Sequence, residues 1–255
     1  MFNRGVRRVA LTALLLVLVA AVSASAQVPV LKLPVRAKLM DCHRGPDPAD
    51  RYAVFVGQMP ALQRTQHMWM RFDLYERPRG TGPWLPVVDV AKFGVWEKSK
   101  AGKPGFIYTK RVDQLQAPAA YRAVVRFRWY DAQGKLQRRA KRTTATCRQP
   151  DPRPDLTVGR ITATDAGGGK LRYVVRVHNG GRSDAGAFDT VLSVNGLAQP
   201  AVNVAGLPMD GTTRVVVIAP RCVAGSRVQV AVDPSDVVDE IRERNNTVSR
   251  ACPVP

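Results

Sequence analysis

The sequence predicts an all-β protein: two immunoglobulin-like antiparallel β-sandwiches in tandem, preceded by a cleaved export signal. Apolar residues alternate with polar ones over short runs, as where Met68, Met70, Phe72 and Leu74 interleave with His67, Trp69, Arg71, Asp73 and Tyr75, the period-2 signature of a strand with one buried face. Turn residues separate these runs, and the first half of the chain offers no segment of helical period with a matching cap. Three prolines at alternate positions, Pro150, Pro152 and Pro154, interrupt a chain of 255 residues, long enough for two domains that each bury a core.

Arg4, Arg7 and Arg8 precede the apolar run Val9 to Val22, and Ala24-Ser25-Ala26 supplies a small-x-small cleavage signature, so residues 1–26 read as a signal peptide. The apolar run is shorter than the roughly 20 residues of a membrane span, and no transmembrane segment is expected after cleavage. Gln27 rather than Cys follows the expected cut, so no lipid anchor is expected there.

The first sandwich is expected over 27–149. Val28 to Leu39, punctuated by Pro29 and Pro34, reads as an apolar and basic lead-in, part of which suits a first edge strand, where proline is tolerated. Strands follow at Tyr52 to Val56 and His67 to Tyr75, with shorter ones at Trp84 to Val90, Phe93 to Glu97 and Phe106 to Val112. Leu115 to Tyr121 resembles the tyrosine corner of immunoglobulin and fibronectin type III sandwiches, in which the hydroxyl bonds back to upstream backbone. Tyr121, Ala123, Val125, Phe127 and Trp129 then face the core, with Arg122, Arg126 and Arg128 opposite them. Asp131-Ala-Gln-Gly134 turns the chain into a partner strand, Lys135 to Cys147, carrying Arg138, Arg139, Lys141 and Arg142.

Charge is uneven along the chain. Gln27 to Pro150 holds 24 Lys/Arg and 9 Asp/Glu, a net of +15, whereas Asp151 to Pro255 holds 12 and 11, a net of +1. The basic character therefore belongs to the first domain. Four cysteines, an even number in an exported chain, predict two disulfides. The linker leaves two on each side, which favours Cys42 with Cys147 and Cys222 with Cys252; each bridge is worth about 3–5 kcal/mol by loop entropy. A four-cysteine metal site lacks the close ligand spacing it needs.

After a stiff linker at 150–154, the second sandwich is expected over 155–255, with strands at Leu156 to Ile161, Leu171 to Val177, Phe188 to Val194, Thr212 to Ile218, Val228 to Val232 and Thr247 to Ala251. The opening Pro154-Asp155-Leu156, the strand ending His178-Asn179-Gly180-Gly181, and Val232-Asp233-Pro234 followed by Glu240-x-x-Glu243-x-Asn245-Asn246 together resemble the CARDB family, the cell-adhesion-related domain found in bacteria. The resemblance covers Arg153 to Pro253. It implies a β-sandwich with a spacer or interaction role, gives Glu243, Asn245 and Asn246 a structural role, and implies no metal.

Several constellations invite a function. Arg122, Arg126, Arg128, Arg138, Arg139, Lys141 and Arg142 form a basic hairpin suited to a polyanion, since guanidinium groups pair bidentately with phosphate or carboxylate; the alternative is a solvated, charge-protected edge. An exported chain meets envelope polymers or extracellular proteins sooner than nucleic acid. Trp69, Trp84, Trp96 and Trp129 could instead form a sugar-stacking platform, as in a carbohydrate-binding or enzyme-accessory module, although such residues more often pack. Asp233, Asp236, Asp239, Glu240 and Glu243 could stabilise a surface protein through Ca²⁺, or simply cap their own turn. Arg242 and Arg244 interleave with them. His43, His67 and His178 stand in none of the usual catalytic motifs. The resulting expectation is a non-catalytic adhesion or binding module of the cell surface or extracellular space, without a cofactor.

Overall fold

The computed structural model describes residues 34–253. The expected signal segment, with Arg4, Arg7, Arg8 and Ala24-Ser25-Ala26, lies outside these residues, as does the start of the lead-in.

The first sandwich contains β1 (Arg36–His43), β2 (Tyr52–Pro60), β3 (His67–Pro78), β4 (Leu85–Pro86), β5 (Trp96–Lys98), β6 (Gly105–Asp113), β7 (Ala119–Tyr130), β8 (Leu136–Thr143) and β9 (Cys147–Gln149). One sheet runs β1-β2-β6; the other runs β4-β3-β7-β8, with β5 also on β3 and β9 also on β7. Period-2 alternation works as expected, because successive side chains leave opposite faces of a strand. Phe55 and Met59 of β2 are buried with Met68, Met70 and Phe72 of β3 and Val125, Phe127 and Trp129 of β7. Gly57 makes room for this packing: a Cβ there would lie 2.2 Å from the Met70 sulfur.

Tyr121 forms the expected corner. Its hydroxyl accepts from the Gln116 N–H at 3.0 Å and lies 3.1 Å from Glu76 Oε1, while burial foremost, with the Glu76 charge next, raises its pKa.

Three expectations for this half need correction. The strands read at Trp84 to Val90 and Phe93 to Glu97 shrink to β4 and β5, because Asp89, Lys92 and Gly94 take positive φ and turn the backbone out of the ladder. The strand read from Lys135 to Cys147 breaks after Thr143: Thr144 turns its hydroxyl onto the Ala123 N–H at 3.0 Å, replacing a ladder bond with a side-chain one. The expected strand end at Cys147 is also passed: Arg148 and Gln149 continue the ladder as β9, pairing with Ala120 and Ala119 of β7.

The second sandwich contains β10 (Leu156–Gly167), β11 (Lys170–Asn179), β12 (Phe188–Val194), β13 (Leu197–Ala198), β14 (Val202–Val204), β15 (Thr212–Pro220), β16 (Arg227–Val232) and β17 (Thr247–Ala251). Its sheets run β10-β11-β15 and β13-β12-β16-β17, with β14 also on β12. The six strands legible from alternation are present; β13 and β14 are too short to show a period. Leu171, Tyr173, Val175 and Val177 of β11 share the core with Leu192, Val194, Val228, Val230 and Val232.

Disulfides join Cys42 to Cys147 and Cys222 to Cys252. The first links β1 of one sheet to β9 of the other; the second links the chain after β15 to the chain after β17. Each therefore closes the two layers of one sandwich on each other.

Candidate functional site

The outer face of the β5-β3-β7-β8 sheet is built by register. Trp69 stands opposite both Lys98 and Arg128, and Arg128 opposite Arg139; Arg71 stands opposite Trp96 and Arg126, and Arg126 opposite Lys141. Residues directly opposite share a face. The sheet thus carries two parallel rows, Lys98-Trp69-Arg128-Arg139 and Trp96-Arg71-Arg126-Lys141. Six cations and two indoles occupy eight neighbouring positions.

Asp73 is the carboxylate that partners these cations. It accepts from Arg71 Nε and Arg126 Nε, both at 2.6 Å, and its bond raises the Arg126 pKa. Lys98, Arg128, Arg139 and Lys141 meet no carboxylate at ion-pair distance among the described residues. Arg128 lies 4.1 Å above the Trp96 ring, and Lys98 lies 5.5 Å from the Trp69 ring, attracted by the negative face of the indole. Further along the face, Trp84 is gripped by Arg77 at 4.5 Å and Arg122 at 4.1 Å.

The hairpin cations do not act as one patch. Arg122, Arg126, Arg128, Arg139 and Lys141 share the outer face, whereas Arg138 and Arg142 stand opposite Trp129 and Val125 and so project from the core side of the edge strand. Arg138 lies 5.6 Å from the Trp129 ring. The tryptophans divide as well: Trp129 is fully buried and donates to the Pro60 carbonyl at 2.6 Å, so it serves the core, while Trp69, Trp84 and Trp96 are half-buried on the outer face. Arg71, Lys98 and Asp73 belong to the site although they lie outside the hairpin. The alternation on β3 already placed Arg71 and Asp73 outward; β5 was legible only in part.

An internal ion pair holds β5 in position. Glu97 faces away from its neighbours Trp96 and Lys98 and binds Lys110 of β6 at 2.6 Å; the lysine side chain is 3% exposed and the glutamate 29%. Glu97→Gln strands a buried cation and is expected to cost roughly 2–3 kcal/mol, below the roughly 3–5 kcal/mol of a fully buried pair because Glu97 already reaches water. Lys110→Met leaves only a half-solvated carboxylate, so its loss should be smaller. Thermal unfolding of both variants checks this order, and equal losses would show that the pair does not anchor β5.

The second sandwich gathers its sequence signature at one end. Asn179 is fully buried; its side-chain carbonyl accepts from the N–H groups of Asp155 and Gly181, and its amide donates to the Ser183 and Leu207 carbonyls at 2.9 and 3.0 Å. Asp155 accepts from Asn245 at 2.8 Å, and Ile241 N–H donates to the Pro154 carbonyl.

The five turn carboxylates do not converge. Asp233 accepts from the N–H groups of Val237 and Val238, and Glu243 accepts from that of Glu240. Asp239 binds Arg153 at 2.6 Å, and Glu240 accepts from Leu156 N–H and the Asn246 amide. Asp236 is exposed beyond the turn. Among the described residues no group of three or more His, Cys, Asp or Glu side chains could hold a metal ion. Asp233, Glu240 and Glu243 thus accept from backbone N–H groups, as capping side chains do, while Asp239 pairs with the Arg153 guanidinium.

The three histidines also lie apart. His43 stacks on Tyr52 with centroids 5.3 Å apart, His67 faces the Ser99 carbonyl at 3.4 Å, and His178 contacts the Gly211 carbonyl at 2.8 Å.

Fold and site together define a tandem β-sandwich protein with a basic, tryptophan-bearing outer face on its first sandwich. The CARDB family model matches residues 153–250, and the second sandwich is accordingly a CARDB domain. A CARDB domain from Pyrococcus furiosus, solved in complex with di-metal ions, is 26% identical, covering 39% of this chain and 88% of that one with a TM-score of 0.33. A domain of a putative cell surface protein from Methanosarcina acetivorans is 24% identical, covering 39% of this chain and 90% of that one with a TM-score of 0.34. No curated protein matches the chain.

Proposed function

We propose that this protein is an exported, non-catalytic binding module that attaches to anionic polymers of the cell envelope through its first sandwich, with the CARDB domain as spacer or interaction unit. The observation that carries this reading is the pair of cation rows on one sheet face, where the single carboxylate of Asp73 pairs with two of the six cations and offsets one of their positive charges. A cationic face raises the encounter rate with polyanions, and guanidinium groups then hold carboxylate or phosphate bidentately. Export is supported by the signal-like start of the sequence and by two disulfides, which persist in oxidising compartments. No helix among the described residues is long and apolar enough to cross a membrane.

The test is retention of the protein on purified cell envelopes across a salt series. Retention should fall as salt rises, because exposed charges are screened. Arg139→Glu with Lys141→Glu should lower retention about tenfold or more, the order expected when several close charge contacts reverse sign. Both residues are exposed on the edge strand β8, so the fold should survive. Arg126 and Arg128 are less suitable, since one binds Asp73 and the other stacks on Trp96. Salt-insensitive retention, unchanged in the double variant, would refute the reading.

A further inference from the structure

Two hollows open side by side on the basic face and share a wall. The first, of about 410 Å³, is lined by His67, Trp69, Trp96, Lys98, Arg128 and Tyr130 together with the Asp131 turn. The second, of about 370 Å³, is lined by Trp96, Arg126, Arg128, Arg139 and Lys141 over the β7-β8 backbone. Each is within the size range of small-molecule sites. Their common wall is the Trp96–Arg128 stack.

The two halves differ in chemistry. In the first, the Trp69 and Tyr130 rings meet edge-to-face, with centroids 6.3 Å apart and planes at 70°, forming an aromatic corner. Such a surface offers electron-rich faces to polarised C–H groups and polar tips to hydroxyls. Asp131, the one carboxylate at this hollow, caps its own turn: its Oδ1 accepts from the N–H groups of Gln133 and Lys135. The second hollow is cationic, and Arg139 and Lys141 at its outer rim are exposed. Trp69 and Arg139 lie two strands apart, a separation of about 10 Å at ordinary strand spacing.

We propose that these hollows form one bipartite site for an acidic polysaccharide. A sugar ring packs in the corner of Trp69, Trp96 and Tyr130, and the carboxylate of the same or the next residue reaches Arg128, Arg139 and Lys141. This rests on the reading that the basic face holds polyanions, and adds that the bound polymer carries a sugar ring beside its charge. A bare polyanion would use only the cations and leave the aromatic hollow empty. Single-stranded nucleic acid would also stack on aromatic side chains, but two disulfides place the chain in oxidising compartments, where envelope saccharides are the ambient polymers.

The whole protein is titrated, at one ionic strength, with polygalacturonate, its methyl ester, inorganic polyphosphate and oligothymidylate, with tryptophan emission and calorimetry as readouts. Polygalacturonate should perturb tryptophan emission and bind at least tenfold more tightly than the methyl ester. Trp69→Leu should weaken polygalacturonate about tenfold while leaving polyphosphate unchanged, and Tyr130→Leu repeats the comparison if the first variant does not fold. Equal binding of polyphosphate and polygalacturonate, with neither variant affecting either, would overturn the saccharide site and leave the polyanion reading standing. Oligothymidylate binding as tightly as polygalacturonate would overturn it in favour of nucleic acid. Equal binding of the methyl ester, or no binding to any polymer, would defeat both readings.

Discussion

Glu240→Ala is expected to destabilise the second sandwich by about 3–5 kcal/mol, since it orphans two buried donors at about 1–3 kcal/mol each and leaves a small cavity. The donors are the Leu156 N–H, where β10 begins, and the Asn246 amide, which Glu240 Oε1 receives at 2.6 Å. Glu240 is 1% exposed. For a domain of this size, thermal unfolding should fall by roughly 10 °C or more.

The same residue gives stability a distinctive pH dependence. Burial pushes the Glu240 pKa up to about 7, against the pull of the Leu156 and Asn246 donors and with help from the Glu243 and Asp233 charges. The folded state therefore holds this proton more tightly than the unfolded chain, whose glutamates titrate near 4.5. The stabilisation is fully present below about pH 4.5 and is lost as pH rises through about 7. Asp151, lowered chiefly by Arg153, and Asp165, lowered chiefly by the Gly167 N–H, act in the opposite sense but only in the acid range below pH 4. Glu240→Gln keeps an acceptor for Leu156 and, after a turn of the Asn246 amide, gives its unpartnered Oδ1 a donor. Wild type should lose stability between pH 5 and 7.5 while Glu240→Gln stays flat. Parallel curves for the two proteins would show that Glu240 does not carry the proton.

Gly181→Ala is expected to cost about 3 kcal/mol, the upper end of what overpacking does, and Gly180→Ala far less. A Cβ on Gly181 would lie 2.4 Å from Pro154 Cα and 2.5 Å from both the Arg153 carbonyl oxygen and the Asp155 nitrogen, all backbone atoms. The segment entering β10 would have to move off, and the Asn179 bonds to Asp155 and Gly181 would stretch with it. On Gly180 the nearest atom is His178 Nε2 at 3.6 Å, an ordinary contact. Denaturant unfolding of the two variants side by side checks the contrast; equal losses would mean that close backbone approach is not why glycine stands at 181.

Much of this fold is legible in local pattern. Met68, Met70, Phe72 and Leu74 announce the buried face of β3, and Tyr121 through Trp129 that of β7, because burial of one pleat face imposes a period of two. The CARDB signature is legible as well, and its sense becomes plain in space: Asp155, Asn179, Gly181 and Asn245, scattered over 91 positions, meet in one hydrogen-bonded end. The expected strands around Trp84 and Phe93 are shorter than read because apolar residues there fill the core from loops. Phe93 is buried although it lies in no strand, and alternation cannot distinguish such a residue from a strand residue.

The sequence by itself determined which half of the chain is basic, which residues of β3 and β7 face inward, and a cysteine arrangement that suits one bridge per sandwich; these follow from composition, period and chain order. Tertiary structure alone decided which charges act together. Lys98, Trp69, Arg128 and Arg139 come from four strands, and only the ladder register lines them up in one row. The same register sends Arg138 and Arg142 to the other face and gives Asp73 to Arg71 and Arg126. Register between strands distant in sequence is set by core packing and by the hydrogen-bond ladder as a whole, so no local window of residues contains it.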